Sequence, residues 1–224
     1  AYRPLKTSVL EKIDLMNCSN NHESGLFFTG QTSDSFAILS NYLSLKEPFE
    51  MSFEIKSRTK NGVIFFLSTN ESESDNKNYA LLELVDGELT YKLVIDSQEN
   101  MVRFVPERAR NELCNSSWVR IKLKNTDKGL ISLELKGIES TNSFSTDLTK
   151  LTSKITSLST NNIVLFGSLP TKSLYTEISQ SNEQFIGCIR DLTVRKNNKS
   201  SNVIDKVLLE MSLQPGVLRY CPLK

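Results

Sequence analysis

Histidine is almost absent from this sequence, because His22 is the only one among 224 residues. Nucleophile activation by Ser-His-Asp or Cys-His pairs, and most zinc sites, draw on histidine. His22 lies in the polar stretch NCSNNHES and is predicted to be a solvated loop residue. Phosphate-binding loops of the GxxxxGK[ST] and GxGxxG types are missing as well. These absences argue against histidine-dependent hydrolysis, zinc chemistry and the common phosphate-binding loops.

The sequence also lacks a large net charge and a long apolar run. Its formal charge is +1, whereas nucleic-acid binders usually carry a strong basic excess. No apolar run approaches the roughly 18 residues that span a bilayer, so we expect neither nucleic-acid binding nor membrane insertion. The N-terminus AYRPLKTSVL has no apolar core of a signal peptide. We therefore expect a fragment, or a mature form cut from a longer precursor.

The cysteines are few and widely spaced, and no CxxC pair occurs among them. They are Cys18, Cys114, Cys188 and Cys221. An even count at wide spacing suits disulfides in an oxidising compartment rather than a zinc ribbon or a thioredoxin-like site. Glycosylation sequons occur at Asn17, Asn70, Asn115 and Asn198. A chain this rich in Asn, Ser and Thr would contain about as many by chance, so the sequons are compatible with secretion without proving it.

Strand patterns dominate the rest of the chain. Apolar residues alternate in FEMSFEIKS, and the Asn61-Gly62 pair before VIFFL predicts a hairpin. A second hairpin is predicted where YALLELV and ELTYKLVI flank Asp86-Gly87. Further strand segments are WVRIKLK, GLISLELK, NNIVLF, FIGCIRDLTV, VIDKVLLEM and GVLRYCP. About a dozen short strands without a long amphipathic helix indicate an all-β fold, an antiparallel β-sandwich or jelly roll.

Two segments depart from this pattern. Residues 1–23 have no strand signal and are predicted to be a linker or N-terminal extension, with one domain over 24–224. Residues 139–161 are rich in Ser and Thr, which predicts a long surface loop with some edge strand. The pattern thus places a single β domain behind a short leading segment.

The order of the motifs resembles the laminin G-like domain family, whose jelly roll is also called concanavalin-like. FIGCIRDLTV, followed about thirty residues later by GVLRYCP, resembles the last third of these domains. NGVIFFLSTN, NYALLELVDGEL, CNSSWVRIKL and NNIVLFGSLP resemble further family landmarks, in the family's order, between Gly25 and Pro222. The CIRDL and GVxxxCP forms are most similar to the laminin α-chain branch.

The resemblance implies a disulfide between Cys188 and Cys221, which closes the domain near its C-terminus. A loop of this length would stabilise the fold by about 3–4 kcal/mol in the chain-entropy model. The other two cysteines remain open. Cys18 and Cys114 could bond to each other, Cys18 could pair with a neighbouring domain, or Cys114 could be a buried free thiol.

Many members of the family hold one Ca²⁺ at a rim of the sandwich. The matching side-chain positions here are Asn78 and Ser159, and the matching backbone carbonyls belong to Ile95 and Ser157. Ca²⁺ prefers carboxylate and carbonyl oxygens, and both family carboxylates are missing, although Asp75 or Asn161 could compensate. We therefore expect a degenerate calcium site, and no other cofactor.

Members also bind heparin and other sulfated or dystroglycan-type carbohydrate through basic residues. Three candidate groups match this chemistry: Arg103, Arg108 and Arg110; Arg120, Lys122 and Lys124; and Arg195, Lys196 and Lys199. The first group is favoured, because VRFVPERAR combines three arginines with a proline-broken loop. The second group alternates along one strand and so shares a face. The alternative for each group is an ordinary solvated surface. Trp118, at the family's tryptophan position, is predicted to lie in the core.

The resemblance implies a non-catalytic, secreted module of the extracellular matrix. It would bind cell-surface receptors or sulfated glycans beside other modules of a larger laminin-α-like chain. The alternatives are a small-ligand carrier of the steroid-binding type and a structural spacer between modules. An enzyme is not expected, because Glu83, Asp86 and Glu88 do not place two carboxylates on one strand face.

Overall fold

The chain is described by a computed structural model. It describes residues 22–31, 35–40, 43, 45, 48–69, 78–95, 98–104, 113, 117–126, 130–135, 138–143, 162–169, 176–196, 199–202 and 216–222. In chain order the strands are β1 (His22–Phe28), β2 (Ala37–Ser40), β3 (Phe49–Ser57), β4 (Gly62–Thr69), β5 (Tyr79–Val85), β6 (Glu88–Ile95), β7 (Gln98–Phe104), β8 (Val119–Asn125), β9 (Leu130–Leu135), β10 (Ile138–Ser143), β11 (Asn162–Phe166), β12 (Gly187–Lys196), β13 (Lys199–Asn202) and β14 (Val217–Pro222). The helix in the described residues is one turn at 176–178.

The strands form two antiparallel sheets, which confirms the predicted sandwich. Sheet A has the order β10-β9-β8-β3-β12-β1-β14, with β13 added to β12. Sheet B has the order β2-β11-β4-β5-β6-β7. Inward-facing apolar side chains of both sheets join in one core cluster, in which the Phe53 and Phe166 rings meet edge to face at 6.5 Å. Strand β3 illustrates how the sequence directs side chains into this core. Its apolar residues, at every second position, are buried, and the polar residues between them are partly exposed.

Of the two hairpins predicted from the sequence, at Asn61-Gly62 and at Asp86-Gly87, the structure contains one. The hairpin predicted at Asp86-Gly87 is confirmed, since β5 pairs with β6 and both turn residues have positive φ, 53° and 82°. The hairpin predicted at Asn61-Gly62 is wrong, because β3 lies in sheet A and β4 in sheet B. The Asn61 Oδ1 instead accepts the Asp86 backbone N–H at 2.7 Å. This side chain therefore ties the sheet-crossing connection to the neighbouring turn.

Residues 176–184 cross the outer face of sheet B and are attached to it by buried charged groups. The Glu83 carboxylate accepts the Ser179 hydroxyl at 2.7 Å and the Gln180 and Ser181 backbone N–H groups at 3.1 Å. The Lys92 ammonium donates to the Ile178 carbonyl oxygen at 2.9 Å. Burial of a charge is tolerated only with such partners. Glu83 therefore has a structural role here.

The ends of the described domain lie side by side in β1 and β14. His22 pairs with Pro222 in this ribbon, so the prediction of a loop at His22 is wrong for its backbone. The strand begins two residues before the domain boundary predicted from the sequence. A register shift follows Ser24, where Gly25 has a φ of 141°. A Cβ at Gly25 would lie 2.8 Å from the Ile189 carbonyl oxygen, so the bend requires glycine.

The disulfide joins β12 to β14. Cys188 and Cys221 are bonded, with Cα atoms 5.8 Å apart and a sequence separation of 33 residues. This is the pairing that the resemblance implies. Both cysteines are buried on the outer side of sheet A, together with Phe27. The bond therefore holds the C-terminal strand to the centre of the sheet.

One predicted segment is described only in part, and another lies wholly outside the described residues. Within 139–161, residues up to Ser143 belong to β10, an edge strand of sheet A, as predicted. The remainder of that segment lies outside the described residues, as does the strand predicted over VIDKVLLEM.

Candidate binding surface

The outer face of sheet A carries two rows of charged residues on the same three strands. In the first row the cross-strand register aligns Arg120 of β8, Glu54 of β3 and Arg190 of β12. In the second row it aligns Lys124, Glu50 and Arg195. Each row is thus a carboxylate between two basic residues. We call the first the paired row and the second the open row.

In the paired row every charge has a partner. The Arg120 guanidinium donates to one oxygen of Glu54 at 2.9 Å, and the Arg190 Nε donates to the other at 2.8 Å. Asp191 lies 3.7 Å from Arg120 and 3.9 Å from Arg190. Burial raises the pKa of Glu54, but the hydrogen bonds and charges of Arg190 and Arg120 outweigh it, so the pKa lies below its ordinary value. The row is therefore an internal ion-pair network.

Trp118 extends this network and does not lie in the core between the sheets. Its ring is half-buried, with the Arg190 guanidinium carbon 3.9 Å from the ring centroid. The indole N–H donates to the Glu23 carboxylate, which also lies 3.5 Å from the Lys56 ammonium. The ring packs against the Cys188–Cys221 disulfide cluster. The core prediction for Trp118 is therefore wrong, because the terminal ribbon brings Glu23 over this side of sheet A.

The row between these two contains one ion pair. Lys122 aligns with Ser52 and Thr193, and its ammonium donates to both oxygens of Glu134 on β9, at 2.9 and 3.1 Å. Arg120, Lys122 and Lys124 share one face as predicted, since their strand alternates buried and more exposed residues. Two of these three basic residues are therefore already neutralised by carboxylates.

The open row has the same charges without the contacts. Lys124 and Arg195 are exposed and Glu50 is half-buried. In the described part of the chain, no ion pair joins these three residues to each other or to another group. Next to the row, Lys196 of β12 pairs in register with Lys199 of β13. This end of sheet A, which we call the basic end, therefore carries Lys124 and Arg195 on its outer face, with the backbones of Lys196 and Lys199 beside them.

Strand directions place Asn78 and Ile95 at this same end of the sandwich. β3 ends at Ser57, close to the start of β4, so the start of β3 and the end of β4 lie at the opposite end. The starts of β5 and the ends of β6, β8 and β12 share that end by antiparallel pairing. Asn78 precedes β5 and Ile95 ends β6, beside it in register. The basic end and part of the predicted calcium site therefore lie at the same end of the sandwich, on different sheets.

The donor set for calcium is weak in what the structure describes. Asn78 and Ile95 offer only neutral oxygens, and Ser157 and Ser159 lie outside the described residues, as do Asp75 and Asn161. Among the described residues, no three His, Cys, Asp or Glu side chains form a group suited to a metal. Hard divalent cations prefer charged oxygen ligands. Asn78 and Ile95, the described part of the predicted site, therefore fit a calcium ion poorly.

Of the first predicted basic group, the structure describes only Arg103, which is not at this end. Arg103 lies on the outer face of sheet B, where it donates to the Gln180 side-chain oxygen at 3.4 Å. Arg108 and Arg110 lie outside the described residues, as do Cys18, Cys114 and the sequons at Asn17, Asn70, Asn115 and Asn198. Among the described residues, the structure thus brings Lys124 of the second group close to the third group and separates Arg103 from both.

Sequence reasoning missed the paired row, although one signal for it was present. Arg190 and Asp191 are consecutive polar residues that break the alternation of β12. In the structure Asp191 has a φ of 52° and the register with β3 shifts there. An extra residue of this kind is a β-bulge. It lets both side chains reach Arg120 and Glu54 on the outer face.

Comparisons with known proteins agree with this architecture. The family model described as "Laminin G domain" matches residues 55–200. Domains LG4-5 of the mouse laminin alpha1 chain superpose with a TM-score of 0.67 at 20% identity, covering 90% of this chain and 49% of that one. A structure of NanB with optactamide has a TM-score of 0.51 at 12% identity, covering 87% of this chain and 28% of that one. The chain therefore spans about half of the mouse LG4-5 structure. No curated protein matches it by sequence.

None of the helices in the described residues is long and apolar enough to cross a membrane.

Proposed function

Because the chain belongs to the laminin G domain family, we propose that it is a non-catalytic module of the extracellular matrix that binds sulfated glycans. Membership supports an extracellular adhesion or binding module in general, since domains of this family are typically extracellular and non-catalytic. The finer proposal is that the ligand is a sulfated polysaccharide and that the binding site is the basic end of sheet A. The module would present this end from a longer laminin-α-like chain.

The observation that carries the proposal is a pair of exposed basic residues, Lys124 and Arg195, that have no ion pair in the described part of the chain. They lie on the same outer face at one end of sheet A, and the backbones of Lys196 and Lys199 are adjacent in register beside them. Lys124 and Arg195 lie on β8 and β12, which both pair with β3 inside sheet A, so the register of the sheet fixes the positions of their backbones. A polyanion that contacts them releases counterions, and its binding therefore weakens as salt rises. In the paired row, by contrast, Arg120 and Arg190 are already ion-paired with Glu54.

The alternatives have less support. A small-ligand carrier needs an apolar pocket between the sheets, whereas the inward-facing side chains pack into one cluster. A spacer needs an exposed apolar patch that contacts the neighbouring modules. In the described part of the chain, Tyr220 is the single large apolar residue that is exposed, at 40%. A protein receptor remains an outcome of the test.

The test is elution of the purified chain from immobilised heparin in a salt gradient, with calcium or with a chelator. We expect elution well above physiological salt, and earlier elution when Lys124→Ala and Arg195→Ala are combined. Lys122→Ala combined with Arg120→Ala removes the same charge from the same face and should shift elution less, because those cations are already paired with carboxylates. Flow-through of the wild type in all conditions would overturn the proposal in favour of a protein receptor or a spacer. Loss of binding on chelation would contradict the expected degenerate calcium site.

A further inference from the structure

Glu50 is a carboxylate placed where a polyanion site would be expected to have none. It lies between Lys124 and Arg195 in cross-strand register, half-buried on the outer face. A negative charge at this position repels an anionic ligand. Its counterpart Glu54 has a structural role, because both of its oxygens accept hydrogen bonds from arginines. Glu50 has no such role in the described part of the chain.

The acceptor capacity of Glu50 is therefore available to a ligand. An ionised carboxylate is an acceptor only, with about four lone-pair sites on its two oxygens. The fold uses none of them for an ion pair among the described residues. A ligand hydroxyl that reached Glu50 would form a charge-assisted hydrogen bond, which is stronger than a neutral one.

The spacing of the row defines the chemistry that it fits. Neighbouring strands lie about 4.8 Å apart, so the backbones that carry Lys124 and Arg195 are separated by about 10 Å, with Glu50 midway. The complementary ligand has two anionic groups on either side of a hydrogen-bond donor. A sulfated saccharide has this arrangement, because free hydroxyls lie between its sulfate groups. A linear polyphosphate has a comparable charge but no donor.

We propose that Glu50 is a specificity-determining residue of the basic end, which accepts a hydroxyl of a sulfated saccharide while Lys124 and Arg195 bind the flanking sulfates. This inference rests on the proposed glycan-binding function and deepens it. The carboxylate lowers the affinity for every polyanion through repulsion. Only a ligand with a hydrogen-bond donor between its anionic groups regains the lost affinity, through a hydrogen bond to the carboxylate. The row thereby discriminates saccharides from polyanions without hydroxyl groups.

The experiment compares a heparin oligosaccharide with linear polyphosphate of matched charge, by calorimetric titration of the full chain at one salt concentration. Glu50→Ala removes repulsion and acceptor together, so polyphosphate should bind about two- to fivefold more tightly while the saccharide gains less or nothing. Glu50→Gln removes the charge but keeps an acceptor oxygen. It should strengthen binding of both ligands and return the preference for saccharide towards that of the wild type.

Glu183→Ala is the matched control, because it removes an exposed carboxylate at the other end of the sandwich and should change neither affinity. Equal strengthening of both ligands in Glu50→Ala would overturn this inference alone, since Glu50 would then act only as a charge. Binding of neither polyanion by the wild type would overturn the proposed function as well. The two failures are therefore distinguishable.

Discussion

Glu54 and Glu50 lie on the same strand, and each has a basic residue opposite it on β8 and on β12. In the paired row all three charges are joined by hydrogen bonds of 2.8–2.9 Å, whereas the open row has no ion pair in the described residues. Because the two rows carry the same charges, the difference in ion pairing follows from the surroundings of the two glutamates. The side chain of Glu54 is only 16% exposed, close to the terminal ribbon, Trp118 and Asp191.

Exposed ion pairs contribute little, about 0–1 kcal/mol, because two long side chains must be ordered in high dielectric. A network that is partly buried and shares several donors overcomes this cost more readily. The same charge pattern can therefore stabilise the fold at one end of a sheet and remain available for a ligand at the other. The prediction with the largest expected effect concerns the disulfide, which lies on the same outer face of sheet A as the paired row.

Replacement of both Cys188 and Cys221 by alanine should lower the free energy of unfolding by about 3–4 kcal/mol. The bond closes a loop with a sequence separation of 33 residues and holds the terminal ribbon beside the paired row. Urea unfolding followed by the fluorescence of Trp118, the only tryptophan, measures the loss. Retention on heparin should persist at temperatures where the variant is folded. Lost retention in a folded variant would show that the two ends are not independent.

Arg190→Ala and Arg195→Ala remove the same charge from the same strand and compare the two rows directly. Arg190→Ala should cost about 1–3 kcal/mol, because it leaves the part-buried Glu54 and Glu23 short of a partner and uncovers Trp118. Arg195→Ala should stay within about 0.5 kcal/mol, as surface substitutions usually do. Its effect should appear instead as earlier elution from heparin. Equal losses of stability in urea unfolding would contradict the division between the rows.

The smallest effect concerns the pH dependence of the paired row. The pKa of Glu54 is lowered from its ordinary value of 4.5. A lowered pKa in the folded state adds stability above the ordinary value, and that stability is lost as the pH falls towards the folded pKa. The free energy of unfolding of the wild type should therefore exceed that of Glu54→Gln by about 1 kcal/mol at neutral pH. This difference should shrink as the pH becomes acidic. Urea unfolding across this range measures it, and a gap independent of pH would argue against the ionised carboxylate as its source.

Much of the fold could be predicted from local pattern, and the errors share one cause. Alternation in FEMSFEIKS and the Asp86-Gly87 turn report local geometry, and both predictions are confirmed. The Asn61-Gly62 hairpin failed because the same dipeptide can connect two sheets, and no local signal distinguishes these cases. Trp118 was misplaced because its environment is formed by Glu23, which lies 95 residues away in sequence.

The basic residues of the candidate site were all visible in the sequence, but their grouping was not. Arg103 joins a different sheet from Lys124, and Lys124 meets Arg195 only through register with Glu50. Sequence spacing specifies which residues of one strand share a face. It does not specify which strands become neighbours.

The sequence by itself determined the class of fold and its alternation of buried and exposed residues, because these depend on interactions between residues close in the chain. It also carried the family resemblance, through motifs in a characteristic order. Only the tertiary structure decided that Arg120 and Arg190 share Glu54 while Lys124 and Arg195 flank Glu50 without an ion pair. Pairing of a charge depends on its burial and on partners from distant strands, and both arise only when the sheets assemble.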